Sequence, residues 1–409
     1  MISFEEAQAL VLARVKSLES EKIPILDALG RVLANEIAAP RDVPHEDNSA
    51  MDGFAVRHED IKGSSGSSGM RLTVVGESRA GKPFGGSISR GETVRIMTGA
   101  VIPQGADTVV MSEYTFAGEG DVVVFRDPGK GANIRFRGEY IACGETVLRS
   151  GETIGASEIG ILAASGYAKI KVCKRPVVAV LSTGDELVDL CSPLGPGQIF
   201  SSNAYSLAAQ ILECGAVPLS LGIASDDEDE LVGKLQEGLA AADVVVTSGG
   251  VSEGRHDLVK QSLVRIGMKI VFWKVAMKPG KPVLFGTVEQ KPIFGLPGNP
   301  GAATICFEQF VRPAVLKMMG HKRLMRPQSQ AILAGQAISP SDRLCFLRCR
   351  LEEERGRLTA RLIPKLGVGL HRSSFSTDGL IVIPPGKSFI KPGDTVVVQI
   401  LRWPLSVSN

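Results

Sequence analysis

The chain has 409 residues, 46 of them basic and 44 acidic, for a net charge of +2. That balance excludes the overall basic field of a nucleic-acid-binding protein, so an anion site must come from local placement of Lys and Arg. Apolar residues at 44% and charged residues at 22% are ordinary for a globular protein, and the length suits about three domains.

Ser3 and Glu6 form a capping box ahead of Ala7, Leu10, Val11, Val15 and Leu18, which share one helical face, so a helix is predicted over Ser3–Leu18. From about Arg41 to Gly138 the texture changes to short β-type runs at Leu72–Val75, Thr93–Met97, Thr108–Met111 and Val122–Phe125, split by Gly, Pro and Asp. They predict a β insertion domain over residues 41–139; within it, Gly63–Gly69 has the composition of a flexible loop. A second helix is expected near Ala156–Ser165. Helical texture on both sides of the insertion joins 1–40 and 140–175 into one discontinuous linker domain.

From Pro176 to Arg326 strands and helices alternate. Strands are predicted at Val177–Leu181, Val217–Ile223, Asp243–Thr247, Ile270–Val275, Val283–Phe285 and Ile293–Leu296. Helices are predicted at Ala204–Cys214, after a Ser225/Glu228 cap, at Asp257–Ile266 and at Thr304–Met319. Continuous apolar strands alternating with helices mean a parallel sheet covered on both faces, an α/β sandwich over 176–326. The remainder, 327–409, returns to β: Leu344–Leu351 and Leu358–Ile363 read as a hairpin with Gly356 in its turn, followed by strands at Leu380–Ile383 and Thr395–Leu401. A small C-terminal β-barrel is expected, and the fold class is multidomain α/β plus β. Apolar runs such as Val177–Leu181 are too short for a membrane span. The first residues lack the basic start and apolar stretch of a secretion signal. A cytoplasmic protein with no membrane or nucleic-acid partner is expected. Seven scattered cysteines and five histidines, none at metal spacing, fit reduced thiols and give no zinc site.

Polar motifs gather just past the predicted strand ends of the α/β region, the edge where open α/β sheets bind ligands. Ser182–Glu186 follows the first strand, Ser225–Asp227 the second and Ser248–Ser252 the third, with Asp257 nearby; Lys278–Pro282 and Leu296–Pro300 lie by later strands. Asp185, Glu186, Asp226 and Asp257 are hard oxygen ligands of the kind Mg²⁺ takes. Lys274, Lys278 and Lys281 supply positive charge, and the glycines of Ser248–Gly250 expose backbone N–H groups suited to an oxyanion. Taken singly, each motif has a plainer explanation. Asp226 and Asp227 fit first-turn acids on a helix dipole, Lys278 and Lys281 fit solvated lysines around a Pro-Gly turn, and Asp185 fits a turn. Their coincidence on one edge favours a site working at a phosphoanhydride.

The runs SAMDGFA (Ser49–Ala55), MTGA (Met97–Ala100), LSTGDEL (Leu181–Leu187), SGGVS (Ser248–Ser252), KPGKP (Lys278–Pro282) and GLPGNP (Gly295–Pro300) resemble, in order, those of the molybdopterin molybdenumtransferase family, which includes the C-terminal domain of gephyrin. The resemblance implies an elongated homodimer that exchanges the adenylate of adenylylated molybdopterin for molybdate, with Mg²⁺ and release of AMP. A further partner would be the adenylyltransferase that makes the substrate. It implies a catalytic set of Asp52, Thr98, Asp257, Lys274 and Lys278, with Asp52 and Thr98 coming from the partner subunit's β domain. Ser248, Gly249, Gly250, Lys281, Pro297, Pro300 and Arg348 would bind substrate, and Glu186, Asp226 and Asp257 would hold the metal. The chain departs from the family pattern at Gly301-Ala302, where Val-Ser is usual, at Arg255, and at Val368, Gly369 and Leu370, with Ser373 and Ser374 as substitutes. These changes lead us to expect weak molybdate affinity. Two other readings of the same fold are an adenylyltransferase, which would not need the extra β domains, and a non-catalytic scaffold or paralogue.

Overall fold

The computed structural model describes residues 1–251, 258–338, 342–354, 356–363, 377–387 and 389–403. Helix α1 (Phe4–Arg14) begins where expected, with the Ser3 hydroxyl accepting from the Glu6 N–H at 3.1 Å. It stops short of Leu18 because Val15 turns extended. Its buried face enters the core of the α/β domain: the Phe4 ring lies 5.7 Å from Phe310 and 5.3 Å from Phe346. The second helix, α2 (Ala156–Ala164), buries Leu162 in a different core. What joins the chain before and after the insertion is strand pairing, Ser20–Pro24 against Lys169–Cys173 and Ile37–Ala38 against Thr146–Leu148. Ala28, Leu33, Leu162 and Val172 form the core beneath it.

The insertion is a six-stranded sheet in the order Thr108–Met111, Gly53–Val56, Glu92–Ile96, Met70–Ser78, Asp121–Val124, Thr115–Ala117. Successive side chains of a strand point to opposite faces. Phe54 and Val56 accordingly join one core and Ala55 the other.

The α/β domain contains β1 (Val177–Thr183), α3 (Ser202–Glu213), β2 (Val217–Ala224), α4 (Glu228–Ala241), β3 (Val244–Ser248), α5 (Leu258–Arg265), β4 (Lys269–Trp273), β5 (Leu284–Val288) and β6 (Lys291–Leu296). The sheet order is β2-β1-β3-β6-β5-β4. Val178, Val180, Val244 and Val246 face one core while Ala179, Leu181 and Val245 face the other, as a sheet covered on both sides requires. The sheet is not parallel throughout: β2, β1, β3 and β6 run parallel, whereas β5 pairs antiparallel with both β6 and β4 and so runs against the other five. Only Glu289 and Gln290 separate β5 from β6, and so short a connection permits antiparallel pairing alone.

The last helical stretch starts earlier than predicted. Helix α6 (Pro300–Cys306) has Asn299 as N-cap and Pro300 in its first turn, and a π-helical turn (Phe307–Val311) leads into α7 (Arg312–Met318). The C-terminal strands are β7 (Gln328–Leu333), β8 (Leu344–Glu354), β9 (Arg357–Leu362), β10 (Gly379–Ile383) and β11 (Thr395–Ile400). Pairing runs β8-β9-β7-β11-β10 and back to β8, which closes a five-stranded barrel. Gly356 takes φ 73° in the expected β8–β9 turn. Two features couple barrel and α/β domain: the segment Met277–Lys278 pairs with the start of β8, and the Gln309 and Gln399 side-chain amides bond each other.

Candidate functional site at the C-terminal edge of the α/β sheet

Strands β1, β3 and β6 end side by side, and their loops hold one another closely. Gly249 has φ 102°, and a Cβ there would lie 2.6 Å from the Thr183 carbonyl oxygen. Glycine is required at this position on both counts. Gly250 is also left-handed, with φ 60°. Gly298 sits against Gly249, its would-be Cβ 3.5 Å from the Gly249 Cα. Ser248 is buried, and Asn203 at the start of α3 donates from Nδ2 to both the Ser248 Oγ (2.7 Å) and the Gly298 carbonyl (2.8 Å). One amide thus ties the Ser248–Gly250 loop to the Leu296–Pro300 turn. Asn203 escaped the sequence reading; its one signal is a polar residue opening a helix just beyond a strand. Pro297 and Pro300 flank the same turn, and the Asn299 side chain accepts from the Ala302 N–H at 3.2 Å.

The acidic residues lie one strand over. The Asp185 carboxylate accepts from the Asp226 N–H at 2.9 Å, which links the ends of β1 and β2. The Glu186 carboxylate folds over Gly184, 2.4 Å from where a Cβ would sit. Asp227 is the N-cap of α4, accepting from the Glu230 N–H, while the Ser225 hydroxyl bonds the Glu230 carboxylate. The cap therefore moves from the expected Ser225/Glu228 pair, and Asp227 has the structural role while Asp226 belongs to the strand end. Asp257, Ser252 and Arg255 lie outside the described residues. Among the described residues no three His, Cys, Asp or Glu side chains converge to cage a metal.

On the cationic side, Lys278 is set against the barrel by the Met277–Lys278 pairing, and Lys281 is exposed. Lys274 has φ 73°, with its backbone N–H donating to the Val283 carbonyl and its carbonyl accepting from the Ile2 N–H. Arg348, on β8, reaches out of the barrel to α6: its Nη2 donates to the Gly301 carbonyl (2.7 Å) and the Thr304 Oγ1 (3.1 Å). Burial pulls its pKa below the usual guanidinium value, and no carboxylate among the described residues bonds it. The Thr304 hydroxyl beside Arg348 also donates to the Pro300 carbonyl at 3.1 Å. Val368, Gly369, Leu370, Ser373 and Ser374 lie outside the described residues.

Asp52 and Thr98 are brought together, but in the insertion. The Thr98 N–H (2.7 Å) and Oγ1–H (2.9 Å) both donate to the Asp52 Oδ1. Those bonds, the backbone one foremost, hold the carboxyl below its ordinary range. Both residues are exposed, and the two insertion cores draw only on residues between Phe54 and Ile134.

Residues 2–166 match the family model of the MoeA N-terminal region (domain I and II), 179–317 that of a probable molybdopterin binding domain, and 330–401 that of the MoeA C-terminal region (domain IV). A molybdopterin molybdenumtransferase of Nostoc sp. is 38% identical, covering 98% of this chain and 94% of its own length. One from Bacillus subtilis is 35% identical, covering 99% and 97%. The crystal structure of a molybdopterin biosynthesis moeA protein from Pyrococcus horikoshii is 32% identical with a TM-score of 0.87, covering 98% of this chain and all of that one. With such identity over nearly its whole length and three successive domain models in register, the chain belongs to the molybdopterin molybdenumtransferase family.

Proposed function

We propose that the chain is a transferase of molybdenum-cofactor synthesis that takes adenylylated molybdopterin and molybdate and yields the cofactor and AMP. The observation that carries this reading is Arg348. A half-buried guanidinium, bonded by no carboxylate among the described residues, projects from the barrel onto the first turn of α6, beside the Leu296–Pro300 turn. A charge so placed favours an oxyanion, and molybdate is the oxyanion of this reaction. Lys278 and Lys281 add charge, and the N–H groups of the Ser248–Gly250 loop add directed donors.

Glu186, Asp226 and Asp257 would hold Mg²⁺. Asp185, Glu186 and Asp226 at neighbouring strand ends are hard oxygen donors. Mg²⁺ commonly uses one or two carboxylates together with water and substrate phosphates rather than a complete protein cage, which supports the reading without a converged set of three. Bound there, the ion would neutralise charge on the phosphoanhydride. Lys274 would hold the same phosphate groups in place. Asp52 and Thr98 lie in a separate unit, so we assign them to the site of a second subunit in a homodimer. The adenylyltransferase that supplies the substrate would be a transient partner. No helix among the described residues is long and apolar enough to cross a membrane; a cytoplasmic setting is part of the proposal.

AMP release from adenylylated molybdopterin, measured with and without molybdate, tests the reading. Molybdate-stimulated AMP release is expected. ATP-dependent formation of the adenylylated pterin would instead mark an adenylyltransferase, and no turnover in either direction would mark a scaffold.

A further inference from the structure

Trp273 ends β4 and brings three elements together. Lys260, on α5, places its Nζ 3.9 Å from the Trp273 ring centroid, and Lys274 places its own at 4.1 Å. The indole N–H donates to the Val251 carbonyl at 3.2 Å, directly after the Ser248–Gly250 loop. One ring therefore bonds the oxyanion loop and carries two ammonium groups from different parts of the chain. Each ammonium is attracted to the electron-rich face of the indole, so the ring fixes where both charges sit. Lys274 also holds φ 73°, a left-handed conformation that a residue with a side chain adopts at a cost. Strain and charge concentrated at a strand end are features of ligand sites.

Resting on the reading of this edge as the adenylylated-substrate site, the geometry points to Lys260 as a further substrate-binding residue. With Lys274 it forms a pair of ammonium groups, positioned by Trp273, that grips the phosphate groups at the nucleotide end of the substrate. Each ammonium offers charged donors to a phosphate oxygen. Through Val251, Trp273 also ties the pair to the Ser248–Gly250 loop and its N–H groups.

The chain has two tryptophans, and the other, Trp403, is 63% exposed. Trp403→Phe leaves Trp273 as the sole indole reporter. Titration with AMP is expected to change its emission, whereas adenosine, which lacks the phosphate, leaves it unchanged at the same concentrations. Lys260→Gln in that background weakens AMP binding about tenfold, the usual scale for a hydrogen bond to a charged group. In turnover, Lys260→Gln raises the KM for adenylylated molybdopterin by a similar factor, with kcat and the KM for molybdate little changed. Lys260→Arg restores binding by keeping charge and ring contact. Trp273→Phe keeps a ring beneath the lysines and is milder than Trp273→Leu. An unchanged thermal midpoint of Lys260→Gln assigns the loss to binding rather than folding. Wild-type AMP binding and KM in Lys260→Gln overturn the grip alone, as does silent Trp273 emission while calorimetry shows AMP bound. Failure of the wild type to release AMP in response to molybdate overturns the functional reading, and the grip falls with it.

Discussion

Arg348 carries its charge into a half-buried place where, among the described residues, its guanidinium bonds a carbonyl and a hydroxyl. Arg348→Ala is expected to raise the KM for molybdate tenfold or more, since a charged hydrogen bond contributes about 1.5–3 kcal/mol; steady-state titration of molybdate checks it. Arg348→Lys keeps the charge but loses the planar fork, and is expected to fall between the two. Thr304→Val removes the hydroxyl beside the guanidinium without changing shape, so a smaller rise is expected, with the KM for the pterin substrate unmoved. Thr304 is not legible in the sequence as a neighbour of Arg348: with α6 starting at Pro300, one turn before the predicted start, it lies inside the helix, where its hydroxyl accepts from the guanidinium. Asp52 allows a different test. Its pKa lies below the usual carboxylate range because of two Thr98 donors, the backbone N–H being the larger cause. Thr98→Val removes only the hydroxyl, so NMR titration is expected to show the Asp52 pKa rising part of the way toward its ordinary value. The sign follows from a lowered folded pKa: the stabilisation is complete above the unfolded carboxylate value and is lost as pH falls through the folded one. Asp52 therefore stays ionised at neutral pH, and no loss of activity near pH 6 originates there.

The strands and helices of the α/β region are legible because their burial repeats are strong: β1 and β3 are apolar on both faces, and α4 buries Leu231 and Leu235 one turn apart. Strand direction is less legible, because alternation marks a strand but not which way it runs. The two-residue connection between β5 and β6 holds that information, and it is visible only once both strand ends are placed. The destination of α1 is likewise hidden, since an apolar face requires burial without naming the partner. At the strand ends, glycine is the readable signal, and its reason is steric. Gly249→Ala would put a Cβ 2.6 Å from a backbone carbonyl at φ 102°. That carbonyl is backbone rather than the end of a flexible side chain, so the loop must shift. A loss of about 1–3 kcal/mol is expected, seen as a lower urea midpoint followed by Trp273 fluorescence. Gly30 is also left-handed, but nothing lies within 4 Å of its Cβ position. Gly30→Ala is expected to cost no more than the backbone strain, about 1 kcal/mol, and to leave turnover intact.

Across the whole molecule, the proposed reaction needs groups that one chain holds in different units. The sheet edge carries Glu186, Asp226 and the lysines, and Arg348 arrives from the barrel. The barrel is held there by Phe4 packing on Phe310 and Phe346 and by the Gln309–Gln399 amide pair. Asp52 and Thr98 instead occupy an exposed edge of the insertion, whose cores share no residue with the α/β cores. The insertion is joined to the rest through the narrow pairings of Ser20–Pro24 with Lys169–Cys173 and Ile37–Ala38 with Thr146–Leu148. Such an outrigger is suited to reaching a second copy. In a two-fold dimer each site would then be built from the sheet edge of one subunit and the insertion of its partner. Asp52→Ala and Glu186→Ala are each expected to be nearly inactive as homodimers. Mixed and exchanged, half of the subunits would pair as heterodimers, and each heterodimer would carry one site with both residues intact and one with neither. About a quarter of the wild-type activity per site is then expected in a random mixture, by the same symmetry argument. If Asp52 served the site of its own chain, every site in the heterodimer would lack one residue. Light scattering that confirms the dimer, mass spectrometry that confirms exchange, and no recovery of AMP release would together place Asp52 outside the shared site.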